Sequence, residues 1–225
     1  MTNAIYFLAD WLKQFNPDYT KEKEFTRVDG STVTASLMSM SAIDKNVNVP
    51  YAINENKTIK AIELAYVGGR FSMIAVMPVK NNFTAFEKGF NTEEFNSLVS
   101  GMDSTKLKVS LPKFTFGSSS ISLKKPLQNM GLRIAFGGGA DFSGIDGTRS
   151  LSISDVIHKA FIEVTEQGTE AAAATAVMMR EGFSPNKLPP SFIANRPFIY
   201  FIRDRVTGAV LFMGRVMDPT EKGEA

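Results

Sequence analysis

His158 is the one histidine in this 225-residue chain, and there is no cysteine. A metal centre built from several imidazoles or from thiolates is therefore excluded, and the carboxylates show no spacing suited to calcium or magnesium, so neither metal nor cofactor is expected. His158 and any of the many serines are nominally a base and a nucleophile, but no Gly-x-Ser-x-Gly elbow presents a serine, and the chain reads as a non-enzyme. Gly137-Gly-Gly139 follows Ile134-Ala-Phe136 without opening a helix and lacks the closing Lys and Ser/Thr of a phosphate cradle, which makes it a loop. Asn56-Lys-Thr58 and Asn82-Phe-Thr84 fit the acceptor pattern for N-glycosylation, a pattern short enough to arise by chance as well.

The stretch with most to offer carries backbone chemistry instead. From Thr169 to Glu181 there is neither Pro nor Gly, so every residue keeps an amide donor for a sheet ladder, and Gly168 just before it permits a backbone reversal. In an extended chain Thr169, Ala171, Ala173, Thr175 and Val177 share one face, small and nearly apolar, while Glu170, Ala172, Ala174, Ala176 and Met178 share the other. An alanine-rich helix is the competing reading. The flanks favour the strand: residues 151–165 combine β-branched and aromatic residues with rough alternation, which predicts one long strand, and residues 192–204 predict a buried strand after the extended run set by Pro185, Pro189 and Pro190.

The segment Glu166-Gln-Gly-Thr-Glu-Ala-Ala-Ala-Ala-Thr175, the block Asn195-Arg-Pro-Phe-Ile-Tyr-Phe-Ile-Arg-Asp204 and the C-terminal run from Thr207 to Pro219 together resemble the serpin family of serine protease inhibitors. The resemblance runs from Asn3 to Pro219 and aligns with the second half of the family's fold. Asn3-Ala-Ile-Tyr-Phe7, with Trp11 and Phe15, resembles the third strand of the large sheet, although Leu8-Ala9 stands where the family usually has Lys-Gly. The implied fold is α+β, dominated by sheet with few short helices, as a single partial domain over residues 1–225. The family's N-terminal helices and first strands have no counterpart in it.

The resemblance also assigns roles. Residues of about 166–191 become an exposed reactive-centre loop, with Glu166, Gly168, Thr169, Glu170, Ala171, Ala172, Ala173, Ala174 and Thr175 as its hinge. A target serine protease would cut the loop, remain covalently attached through its own serine, and be displaced as the hinge enters the large sheet as an added strand. The chain would then be a suicide substrate. The alternative is a serpin-fold carrier, chaperone or interaction module that does not inhibit. Counting forward from Glu166 puts the scissile bond near Gly182 and Phe183; counting back from Pro197-Phe198 puts it near Asn186. Arg180 suits a trypsin-like enzyme, while Met178, Met179 or Phe183 suit a chymotrypsin- or elastase-like one, with Glu181 also inside the window. His158 matches a strand-five histidine that bonds an asparagine on strand three, here Asn3, as a latch between strands; a structurally satisfied sheet histidine is the other reading. Trp11 falls either where the loop enters the sheet or in the core as a lone large aromatic. Loop–sheet polymers and an extracellular setting follow from the same resemblance.

The remaining sequence supplies the frame for these residues. With 25 basic and 23 acidic residues, the small positive balance gives no footprint for nucleic acid, and no apolar run is long enough to span a bilayer. The first ten residues lack the basic leader of a secretion signal and read as a strand. Asp29-Gly30 predicts a hairpin turn between strands over 23–27 and 32–40, and Asn54-Glu-Asn56 and Gly68-Gly69 separate three strands between Val49 and Val79. Phe86, Phe90, Phe95 and Leu98 recur near helical spacing, with Asn91 opening a second short helix. Residues 107–116 predict a strand and 122–131 a helix ending at Gly131.

Overall fold

The computed structural model describes residues 1–41, 46–117, 120–169 and 190–221. The strands are β1 (Thr2–Tyr6), β2 (Ala9–Asp10), β3 (Lys21–Thr26), β4 (Thr32–Ser39), β5 (Val47–Ile53), β6 (Ile59–Ala65), β7 (Phe71–Pro78), β8 (Asp103–Pro112), β9 (Phe114–Gly117), β10 (Ile121–Ser122), β11 (Ile157–Val164), β12 (Gly168–Thr169), β13 (Ser191–Ile193), β14 (Phe198–Asp204) and β15 (Val210–Val216). The α-helices are α1 (Phe83–Gly89), α2 (Thr92–Ser100), α3 (Lys124–Asn129) and α4 (Ser143–Asp146). They fall into two compact units, one over Met1–Phe7 and Thr115–Ile162, the other over Leu8–Phe114 and Glu163–Glu221.

The larger unit is built on a nine-stranded sheet in the order β15-β14-β7-β6-β5-β8-β4-β3, with β13 added beside β8. Its hairpins follow the turn residues. Gly68 and Gly69 both adopt positive φ, 83° and 69°, between β6 and β7, a conformation that an L side chain resists. β7 and β14 alternate little in burial because both their faces are covered, so they read as continuous apolar runs. One face is closed by α1 and α2: Phe83, Phe86 and Leu98 pack on Ala61, Ile74, Val76, Ile199 and Phe201. Asn91 caps α2 by accepting a bond from the Glu94 amide, 2.9 Å, and fixes where the second helix begins.

Two predicted strands of this unit are interrupted by proline. The run over 107–116 is longer and broken: β8 begins at Asp103, ends at Pro112, and hands over through Lys113 to β9. The run over 192–204 is two strands, because after Ala194, whose amide still donates to the Ser110 carbonyl, the chain leaves β8 and Pro197 has no amide to donate, so β13 pairs with β8 while β14 pairs with β7 and β15.

In the smaller unit β1 runs parallel to β11, which also pairs with β10 and β9. The predicted strand over 151–165 begins only at Ile157. Asp155 is the reason: its carboxylate accepts the Val156 amide at 2.7 Å and the Ser122 hydroxyl at 2.7 Å, so a local side-chain bond replaces ladder pairing before Ile157. The predicted helix over 122–131 shortens to α3, since Ser122 is taken up by β10, and Gly131 follows it at φ 105°.

Candidate functional site

The hinge of the sequence begins where β11 ends. After Val164 the chain reverses, and the Thr165 amide closes the reversal on the Gly168 carbonyl at 2.9 Å. Gly168 and Thr169 then run antiparallel to β2, with Gly168 opposite Asp10 and Thr169 opposite Ala9. The glycine serves closeness, not left-handed φ: it is absent from the positive-φ residues, and a Cβ there would lie 2.6 Å from the Asp10 Cα and 3.0 Å from the Ala9 carbonyl carbon.

Thr169 is 0% exposed, and its hydroxyl shares a 2.9 Å hydrogen bond with the Tyr66 hydroxyl. Burial pushes the Tyr66 phenol far above its usual range, against a smaller opposing pull from Thr169, so it stays a neutral hydrogen-bonding group. Tyr66 is stacked on Trp11, ring centroids 4.5 Å apart, and Phe15 meets Trp11 edge-on. Trp11 binds the reversal twice: its amide donates to the Gln167 carbonyl at 2.9 Å and its indole N–H to the Thr165 carbonyl at 3.0 Å. A buried tryptophan needs such an acceptor for its polar edge.

Glu166 fastens the outer side of the turn. Its carboxylate takes an ion pair from Lys113, 2.9 Å, and the Thr20 hydroxyl, 2.8 Å, while the Phe15 amide donates to its carbonyl. Burial works against ionisation of Glu166, but the bonds from Lys113 and Thr20 outweigh it and hold the carboxyl below its usual range. Tyr66, Lys113 and Thr20 were not singled out by the sequence. Tyr66 reads there as the end of an apolar strand, and the one available signal is that a phenol at a buried position requires a partner.

The two residues expected to form a latch lie in the smaller unit. Asn3 and His158 are opposite one another in the parallel register of β1 and β11, and Ile121 of β10 faces His158 from the other side. Asn3 is exposed and His158 half-buried, and among the described residues no hydrogen bond joins their side chains. Asn56 and Asn82 are both exposed, Asn56 in the turn between β5 and β6 and Asn82 at the start of α1, where its side chain makes no capping bond. The hinge residues Glu170 to Thr175 and the scissile-bond candidates Met179, Arg180, Glu181, Gly182, Phe183 and Asn186 lie outside the described residues.

A family model, serpin (serine protease inhibitor), matches residues 1–219. The chain belongs to the serpin family. A serpin-like protein of Thermococcus kodakarensis is 40% identical over 222 residues, covering 98% of this chain and 50% of the relative. Serpin B3 of Homo sapiens is 37% identical, covering 97% of this chain and 55% of its own length. Among solved structures, Serpin48 of the insect Tenebrio molitor superposes with a TM-score of 0.77 at 32% identity, covering 96% of this chain and 55% of that one. Human thyroxine-binding globulin complexed with thyroxine gives a TM-score of 0.80 at 26% identity, covering 98% of this chain and 56% of that one. The chain thus spans about half the length of the curated relatives it matches. Its fold is the α+β serpin fold, dominated by sheet.

Proposed function

We propose that this chain carries the reactive-loop and strand-accepting part of a serine protease inhibitor that acts as a suicide substrate. The reading is carried by the first two residues after the turn, Gly168 and Thr169, which are already paired with β2 and, at Thr169, wholly buried. A target protease's serine oxygen would bond to a loop carbonyl carbon within 179–186, the peptide C–N bond would break, and the departing amine would take the proton that the serine gave up. The loop, cut there, is free to follow its first two residues. If the register of Thr169 opposite Ala9 were carried onward during insertion, Ala173 would come against Ile5 and Thr175 against Asn3. Insertion that far parts Asn3 from His158, so their side-by-side register would act as the latch that insertion releases. Strand addition of this kind, and serpin loop insertion by name, are recognised routes by which a sheet gains a segment and stored strain is released.

The odd-numbered face of the hinge suits that path, since each step places a Thr, Ala or Val inward where Thr169 already sits. Loop–sheet polymers are the intermolecular version of the same pairing. An extracellular target and setting belong to this proposal.

The second reading, a serpin-fold carrier or interaction module, is supported by the likeness to a thyroxine-binding globulin solved with thyroxine. Incubation with trypsin, chymotrypsin and elastase separates the two. The inhibitor reading expects a covalent band that survives denaturation and a nicked product more heat-resistant than the intact chain. Clean turnover to fragments with no covalent band and no gain in heat resistance rules it out.

A further inference from the structure

The hinge carries little information about its own alignment. In an extended chain Ala171 and Ala173 follow Thr169 on one face, and Ala172, Ala174 and Ala176 fill most of the other. Such a run can shift by two residues and still present methyl groups to the same side, so packing alone separates one register poorly from the next. Alignment then depends on a side chain that fits at one place only.

Tyr66 provides that place. Its hydroxyl lies 2.9 Å from the Thr169 hydroxyl, and both residues are 0% exposed. The ring is fixed from several directions. It stacks on Trp11 with centroids 4.5 Å apart and planes 11° apart. Its own amide donates to the Phe71 carbonyl at 3.0 Å and its carbonyl accepts the Gly69 amide at 2.9 Å, which closes the turn over Gly68 and Gly69. On either side, the Leu12 amide donates to the Ala65 carbonyl at 2.9 Å and the Val67 amide to the Asp10 carbonyl at 2.8 Å, tying Tyr66 to the segment that pairs with the hinge.

A hydroxyl held rigidly at a buried point accepts another hydroxyl and penalises its replacement by a methyl, because little water is at hand to make up the lost bond. A hinge advanced by two residues sets the Ala171 methyl against Tyr66 in place of the Thr169 hydroxyl. The next hydroxyl on that face is Thr175, about 20 Å further along an extended chain, so no neighbouring alignment restores the pair.

We propose that Tyr66 is the positioning residue that sets the register in which the loop joins the sheet, by pairing with Thr169 and with no other residue of the alanine run; this rests on the insertion reading given above. Tyr66 forms no bond to the protease and takes no part in the cleavage. It fixes the starting point from which every later residue of the strand is counted.

The chain has no cysteine, so introduced pairs report the alignment without background. If the register of Thr169 opposite Ala9 is kept, Ala173→Cys and Ile5→Cys come together once the loop is nicked within 179–186, whereas a slip by two brings together Thr175→Cys and Ile5→Cys. Under oxidised glutathione the full chain with Tyr66 in place is expected to form the first disulfide at least about tenfold faster than the second, since directly opposite residues lie within disulfide reach and those two apart do not. In Tyr66→Phe, and from the loop side in Thr169→Val, that preference is expected to fall below about threefold, while Thr169→Ser keeps the hydroxyl and the preference. In the intact chain both hydroxyl-removing variants are expected to speed hydrogen exchange at Thr169 about tenfold with β7 unchanged, and their double variant to be no faster than the faster single. A preference as strong in Tyr66→Phe and Thr169→Val as in the wild type, or exchange at Thr169 that neither alters, overturns the role of Tyr66 and leaves insertion standing. Neither disulfide in any background after nicking overturns insertion, and the register proposal with it.

Discussion

The nine-stranded sheet and the four-stranded sheet of β1, β9, β10 and β11 are held by different forces. In the nine-stranded sheet, seven of the eight residues of β7 are buried and their side chains pack against α1, α2 and the neighbouring strands. In the smaller sheet all five residues of β1 are exposed, and β1 is held chiefly by its ladder with β11. Burial of a large aliphatic side chain contributes roughly 1.5–3 kcal/mol, whereas a backbone hydrogen bond contributes net about 1 kcal/mol. A strand of the first sheet is therefore fixed by packing as well as by pairing. The pairing of β1 with β11 rests mainly on backbone groups, which is what the proposed insertion would require.

The largest expected break in that contrast is at the hinge. Thr169→Arg forces an unpaired charge into a site with no exposure beside Tyr66, at a cost on the order of 3–5 kcal/mol, and opposes insertion at its first step. It is expected to turn the protein from a trap into a plain substrate; an undiminished covalent protease band in the variant contradicts the insertion proposal.

A matched pair then compares the sheets directly. Ile74→Ala in β7 removes a fully buried side chain and is expected to cost about 2–5 kcal/mol, while Ile5→Ala in β1, 38% exposed, should stay within about 0.5–1 kcal/mol. Urea unfolding of both variants checks this, and equal losses erase the distinction drawn between the sheets.

Gly168→Ala is expected to cost about 1–3 kcal/mol, because the added methyl runs into the Ala9 and Asp10 backbone. Its signature is faster hydrogen exchange at Thr169 with the nine-stranded sheet unchanged. Exchange that stays slow at Thr169 shows that the close approach is relieved cheaply.

The smallest effect belongs to the ion pair. Lys113→Ala should lower stability by about 1 kcal/mol or less, since Lys113 is well exposed. Because the Glu166 carboxyl is held below its usual 4.5, its contribution is present above that value and is lost as pH falls through the lowered one. The difference between wild type and variant should therefore be seen near neutrality and vanish in acid. A difference that grows on acidification reverses the sign argued here.

What the sequence made legible was local. Asp29-Gly30, Gly68-Gly69 and Asn91 sit at the turns and cap they predict, because each acts on its own few residues. The strand beginning at Ile157 was over-extended because alternation alone does not reveal that the Asp155 carboxylate occupies the next amide. The break before Phe198 was missed although Pro197 lacks the donor that a continuous strand requires. For Gly168 the sequence pointed to turn geometry, whereas the structure shows close approach to the Ala9 and Asp10 backbone. The partners that complete that site, Tyr66 at a separation of 103 residues and Thr20 at 146, are joined only by folding.

The chain possesses a single indole, and it is Trp11. Packed on a phenol ring and bonded to the turn that launches the loop, it is an intrinsic optical gauge for that turn. Emission colour and quenching could be followed in unlabelled protein, second by second, while a protease is added, so the proposed entry of a severed segment has a readout that needs no attached dye.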